Sequence, residues 1–347
     1  MTRATVVGYA ARTAGNELER FTYDEPELGA GDIRVAVTHC GVCHTDVHAI
    51  DDDFGVFTFP VVPGHEIVGR VLEVGTEVAG VDVDDRVGIG WQGRCCDECE
   101  WCHQGEEHLC QEIAQCGTWT PYGGFSSSVV VDARFAYRLP SAMAPEVAAV
   151  LMCAGITVFS PLRKNVDGSS DEVGIVGVGG LGHLAIQFAH ALGFEVTALS
   201  SSPGKEEEAR AFGADHFLLR TDPAAMQRSE YGFDLLLCTA PIGNDWASLL
   251  MALKKNGRLV LPAFSPVELG LATSGSASGA AVDLVVHQLS ITGSFLGNRR
   301  SMTEMLDFAQ EHQIVPLIEL MPMSQANEAI HKVRQNAARY RVVLVSE

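Results

Sequence analysis

The sequence predicts an α/β protein, with a doubly wound parallel sheet joined to a second, mainly β unit. Three observations carry this. The first ~150 residues read as short strands punctuated by Gly and Pro, with few helices. From about Pro145 onward, apolar runs alternate with helical patterns, as a parallel sheet with crossover connections requires. At 347 residues the chain is long for one core and comfortable for two domains.

In chain order, "IRVAVTHCG", "EIVGRVLEVG", "DRVGIG" and "FSSSVVVD" are the early strands. "PEVAAVLMCAGITVFSPL" reads as one buried helix. "EVGIVGVGGLGHLAIQFAHALGFEVTALSSS" then reads strand, glycine turn, helix, strand. In that helix Leu181, Ala185, Phe188 and Leu192 recur at near-helical spacing. "DLLLCTA", "GRLVLPA" and "LSITGSF" are later strands. "LATSGSASGAAVDL" is a loop of small residues with no functional signal. "SMTEMLDFAQ" is expected to start a helix through a capping box from Ser301 to Glu304.

Composition narrows the class. A formal net charge of −20 argues against a nucleic-acid partner, because phosphate backbones are met by basic surfaces. Only five lysines appear, which is compatible with salt adaptation. No run of about 18 apolar residues suggests a membrane span, and "MTRATVVGYAARTAG" has no apolar core of a signal peptide. A reducing, cytoplasmic setting is expected, where structural disulfides are uncommon. The ten cysteines are then buried thiols, metal ligands or catalytic groups.

The stretch "GRCCDECEWCHQGEEHLC" spaces Cys96, Cys99, Cys102 and Cys110 as C-x2-C-x2-C-x7-C. Four thiolates at this spacing close a tetrahedron around zinc and leave no open position, so the site is structural. Cys95 could displace Cys96, but Cys96 keeps the regular two-residue gap. The chemistry is expected elsewhere. Cys43 in "CGVCHTDVH", His65 in "VPGHEIVG" and Cys153 in "LMCAGIT" offer two thiolates and an imidazole, a three-ligand set with a fourth position open. Their distance in sequence means that spacing alone cannot establish convergence. Glu66 is an alternative ligand or a supporting group.

Taken in order, "GVCHTDVH", "PGHEIVG", the four-Cys loop, "LMCAGITVFSPL" and "GVGGLGHLAIQFA" resemble the zinc-dependent medium-chain alcohol dehydrogenases over nearly the whole chain. Within that superfamily the chain is most similar to the cinnamyl-alcohol-dehydrogenase-like branch, which includes broad aldehyde reductases. The resemblance implies a GroES-like catalytic domain at residues 1–153 and 292–347, and a Rossmann nucleotide domain at 154–291, with the active site in the cleft. It implies catalytic zinc on Cys43, His65 and Cys153, structural zinc on the four-Cys loop, and a homodimer. It also implies a proton relay through Thr45, a cofactor ribose hydroxyl and His48, with Asp53 nearby.

The cofactor site is read from Gly177-x-Gly179-x-x-Gly182, between a strand and a helix. The glycines, with Val178, Gly180 and Leu181, form the tight turn that a pyrophosphate approaches at a helix N-terminus. The next strand ends in Ser200, Ser201 and Ser202, followed by Lys205, where an NAD site usually carries a carboxylate. Hydroxyls and a cation favour NADP(H), although Ser202 can equally cap a helix before Pro203. By resemblance, Thr157, Thr239, Ser294, Phe295 and Leu296 approach the nicotinamide half. Pro262-Ala263 departs from the glycine-containing turn common in the family. Trp91, Trp119 and Phe295 are candidate pocket walls for medium or aromatic aldehydes.

The expected function is reversible reduction of aldehydes by NADPH. Two alternatives stand beside it: an NAD-dependent polyol or secondary-alcohol dehydrogenase, and a non-catalytic zinc- and nucleotide-binding redox sensor. The relay residues argue against the sensor, which has no use for them.

Overall fold

The computed structural model describes residues 5–113, 117, 122–165, 171–240, 246–262 and 284–347. The chain divides into two compact units. One comprises Met1–Cys153, Gly297–Glu311 and Val315–Glu347, and the other Ala154–Leu296 and His312–Ile314.

The first unit is mainly β. Strands β1 (Thr5–Ala10) and β2 (Glu19–Asp24) form an antiparallel hairpin. A seven-stranded sheet contains β3 (Asp32–Val42), β4 (Glu66–Val74), β5 (Arg86–Ile89), β6 (Ser128–Asp132), β7 (Ala136–Arg138), β14 (Ile318–Pro322) and β15 (Arg341–Val345). Its order is β14-β15-β3-β4-β5-β7, with β6 beside the first half of β3. On β3, Ile33, Val35 and Val37 alternate inward and are buried. They join Ile67, Val71, Val87, Ile89, Val342 and Leu344 in one core. β-branched side chains suit this pleated, close-packed surface. Each such side chain stabilises by about 1.5–3 kcal/mol when fully buried. The register sets Gly41 opposite Glu66 and Val342 opposite Val42, so the ends of three strands meet at one place.

Helix α1 (His44–Asp51) leaves β3 without a loop. It ends where Asp52 takes the left-handed conformation (φ 55°), turning the chain back on itself. Helix α2 (Glu100–His103) lies within the cysteine loop. The capping box expected at Ser301 falls one turn late. Helix Arg299–Glu311 begins earlier, and Asn298 Oδ1 accepts from both the backbone N–H and the hydroxyl of Ser301 at 2.8 Å. Asn caps as well as Ser does, and the sequence offers both within one turn.

The segment expected as a single helix has three parts: α3 (Pro145–Val150), a wide π turn at Leu151–Gly155, and α4 (Ile156–Asn165). Pro145–Asn165 has the length and mean hydropathy (1.6) of a membrane span, but 83% of its apolar window is buried inside the protein. It is built as a core helix.

The second unit holds a six-stranded parallel sheet in the order β10-β9-β8-β11-β12-β13. Its strands are β8 (Glu172–Val176), β9 (Glu195–Ser200), β10 (His216–Leu219), β11 (Phe233–Cys238), β12 (Leu253–Leu261) and β13 (Ser290–Gly293). Helices α5 (Gly182–Ala191), α6 (Glu206–Ala211), α7 (Pro223–Arg228) and α8 (Trp246–Met251) connect them. Leu184, Ala185 and Phe188 are the fully buried face of α5. Strand order reverses between β8 and β11, which opens a crevice at the carboxyl ends of the strands. All but the last residue of the small-residue loop lies outside the described residues.

Candidate metal centres and nucleotide site

Cys43, His65, Glu66 and Cys153 bring one donor atom each to within 4.8 Å of one another. Cys43 follows β3, His65 and Glu66 open β4, and Cys153 sits on the π turn. Wide turns of this kind recur at functional sites because they re-aim one side chain without ending the helix.

Asp46, which the sequence reading missed, organises the centre. It is fully buried on the first turn of α1. Its Oδ2 accepts from the Cys43 N–H at 2.8 Å. Its Oδ1 accepts from the Gly64 N–H at 2.8 Å and pairs with His65 Nδ1 at 3.0 Å. One carboxylate thus fixes two of the donors and leaves His65 Nε2 as the ligating nitrogen. Burial disfavours charge on His65, but Asp46 overrides it and raises the imidazole well above its ordinary range. The only local signal was an Asp three residues into a helix whose cap is Cys43.

Arg341 was also missed. It is buried, and its Nη2 donates to Glu66 Oε1. Burial pushes Glu66 up to about 7 against the opposing pull of Arg341. Glu66 Oε2 has no hydrogen-bond partner, yet it is fully buried among the donors. A β-carbon at Gly41 would stand 1.9 Å from that oxygen, so glycine is needed there to admit the carboxylate. The Cys43 thiol is drawn far below its ordinary value by the hydrogen bond from Cys153, against burial, and the same bond drives Cys153 up. The pair shares a proton, with the thiolate on Cys43. Two sulfurs, an imidazole and an unsatisfied buried carboxylate oxygen fit a zinc ion. Asp46→Asn should weaken metal retention at this centre about 10- to 100-fold in chelator competition, and unchanged retention would remove the anchoring role.

Thr45 and His48 stand on α1 beside this set. The Thr45 hydroxyl lies 3.7 Å from Cys43 Sγ. The reversed turn at Asp52 returns Asp53 to His48, where Oδ2 meets Nδ1 at 2.6 Å. The Phe54 ring packs 5.2 Å from the His48 ring and is 40% exposed.

Cys96, Cys99, Cys102 and Cys110 form a second group within 4.8 Å. Cys102 Sγ lies 3.5 Å from Cys99 Sγ and 3.9 Å from Cys96 Sγ. Tetrahedral sulfurs at about 2.3 Å from zinc stand about 3.8 Å apart. These four thiols are free, not disulfide-linked. Backbone N–H groups of Gln111 and Cys102 lower Cys99 to about 6. Cys95 stays outside the group, donating to Asp97 Oδ1 at 3.2 Å. The loop is tied down at its rim: Arg299 donates to buried Glu107 Oε1 at 2.7 Å, and Arg134 grips Asp97 through both nitrogens at 2.7–2.8 Å.

In the second unit the glycine turn follows β8. Gly177 has φ 100°, a conformation open to glycine and costly for other residues. A β-carbon on Gly182 would stand 1.9 Å from the Gly177 carbonyl, whereas one on Gly179 would meet nothing within 4 Å. The protein itself therefore does not need glycine at 179; a ligand pressed against the backbone there would. Thr239 does something unforeseen: its hydroxyl donates to the Val176 and Gly177 carbonyls at 3.0 and 3.1 Å, holding the turn shut. Ser202 occupies a cap position without a side-chain cap bond, and its N–H instead donates to Ser200 Oγ at 3.1 Å. Ser201 and Ser202 are exposed at the end of β9. Thr157 is buried on α4; Ser294, Phe295 and Leu296 follow β13 half-buried, and Trp91 is half-buried. Trp119 and Ala263 lie outside the described residues.

Residues 29–141 match the family of the alcohol dehydrogenase GroES-like domain, and residues 180–311 match the zinc-binding dehydrogenases. A probable cinnamyl alcohol dehydrogenase of Oryza sativa is 38% identical, across 98% of this chain and 95% of its own. An NADP-dependent alcohol dehydrogenase of Mycolicibacterium smegmatis is also 38% identical, across 98% of each chain. The solved cinnamyl alcohol dehydrogenase of Sorghum bicolor superposes with a TM-score of 0.88 at 36% identity, covering 99% of this chain and 98% of that one.

Proposed function

The chain belongs to the zinc-binding alcohol dehydrogenases with a GroES-like domain, and from that premise we propose that it reversibly reduces aromatic or medium-chain aldehydes to primary alcohols with NADPH. The observation that carries this reading is the buried Cys43–His65–Cys153 set with Thr45 and His48 beside it. Zinc on those three residues supplies a Lewis acid for the carbonyl oxygen, and the nicotinamide supplies hydride. The Thr45 hydroxyl protonates the oxygen as charge develops, and His48, held at Nδ1 by Asp53, replaces that proton from solvent through the cofactor ribose. Asp46 keeps Cys43 and His65 in place throughout. Partly exposed Phe54, next to His48, suits a substrate with an apolar body. The four-Cys loop holds the second zinc for structure alone.

For the cofactor, Ser200–Ser202 and Lys205 present hydroxyls and a cation at the end of β9, and the similar mycobacterial enzyme is NADP-dependent. The purified protein should carry about two zincs per chain and oxidise NADPH with aromatic aldehydes at least about tenfold faster than NADH. One zinc with no turnover would defeat the enzymatic reading. A preference for NADH with polyols would move the activity to the NAD-dependent alternative.

A further inference from the structure

We propose that Arg220 is a second cationic contact for the cofactor's 2′-phosphate, a specificity-determining residue beside Ser200–Ser202 and Lys205; the inference rests on the NADP(H) reading. A phosphate monoester carries close to two negative charges at neutral pH. Lys205 answers that demand only in part. Its Nζ is already 3.1 Å from Glu208 Oε2, and α6 opens with Glu206, Glu207 and Glu208. An acidic turn with one compensated lysine is a poor receptor for a dianion unless another cation stands on the opposite flank.

The topology supplies one. Strand β10 runs parallel to β9 with Leu219 opposite Ser200, and the Arg220 N–H donates to the Ser200 carbonyl at 2.8 Å. Arg220 is therefore fixed at the carboxyl end of the sheet, alongside the serine triplet. Its side chain runs back over the sheet edge. Burial raises Cys238, at the end of β11, to about 12, and Arg220 is the charge that opposes this. Since β9 and β8 lie between β10 and β11 and strands are about 4.8 Å apart, the guanidinium must reach inward above β9 to be felt there. The nearest acid in sequence, Asp222, is engaged at the start of α7, where Oδ1 accepts from the Ala224 N–H at 2.9 Å. A guanidinium is charged at every working pH and grips phosphate through two parallel N–H groups.

The test uses the full-length zinc-loaded enzyme and the variants Arg220→Gln, Arg220→Lys and Lys205→Ala. The readouts are kcat/KM with NADPH and with NADH, and inhibition by adenosine 2′,5′-bisphosphate against 5′-AMP. Arg220→Gln should lower the NADPH-to-NADH ratio of kcat/KM by roughly 10- to 100-fold, mostly through KM, and weaken the bisphosphate selectively. Arg220→Lys should restore part of the ratio and carries the test if the Gln variant does not fold. Equal losses with both cofactors would assign Arg220 to the adenine or to packing and overturn the proposal. A lowered ratio in Lys205→Ala with an unchanged one in Arg220→Gln would overturn it while leaving the NADP(H) reading intact. A wild-type preference for NADH would overturn that reading first.

Discussion

Cys43→Ser and His65→Ala should each lower kcat/KM for aldehyde reduction by about a thousandfold or more and remove one zinc per chain. A thousandfold corresponds to about 4 kcal/mol of lost transition-state stabilisation, within what a Lewis acid on a carbonyl oxygen supplies. The loss should be confined to chemistry. Both residues sit at the ends of β3 and β4, whose packing rests on Ile33, Val35, Val37, Ile67 and Val71. The unfolding midpoint should therefore change little beside the loss of rate. Metal analysis with steady-state kinetics checks this. A variant that keeps two zincs and wild-type turnover would show that the Cys43 set is a buried polar cluster with no catalytic metal.

The second large effect concerns stability. Cys99→Ser or Cys110→Ser should remove the other zinc and lower the melting temperature by about 5–10 °C. The loop contributes little to either hydrophobic core, so the energy that orders it is that of metal binding. A few kcal/mol lost in a domain of this size produces a shift of that order. Calorimetry with metal analysis distinguishes the two centres, since each variant should retain one zinc but only this one should melt early. If the melting temperature holds, the rim contacts of Glu107 with Arg299 and of Asp97 with Arg134 carry the loop instead.

The fold class was legible in the sequence because its signals are local. Alternating Val and Ile mark β3 and β4, and a glycine turn between strand and helix marks the start of the parallel sheet. The four-Cys grouping was legible for the same reason, since its spacing is short. The rest depends on registers that sequence does not display. Asp46 reads as an ordinary first-turn acid until folding brings Gly64 and His65 against it. Arg341 reads as a surface charge until β15 pairs with β3 and carries it to Glu66. The π turn at Cys153 has no composition that separates it from a regular buried helix. Asn298 and Ser301 are both good caps, and only the position of the helix axis chooses between them.

The two donor sets also differ in when they can exist during biosynthesis. The structural thiols fall between residues 96 and 110 and can meet after closing one short loop. The other set spans residues 43 to 153 and assembles only after β3, β4 and the turn behind α3 are all in place. Short loops close in well under a microsecond, whereas long-range β pairing is slow. A nascent chain thus offers zinc its structural berth early and its reactive berth last. Metal scarcity during synthesis should accordingly yield folded but silent protein before it yields unfolded protein.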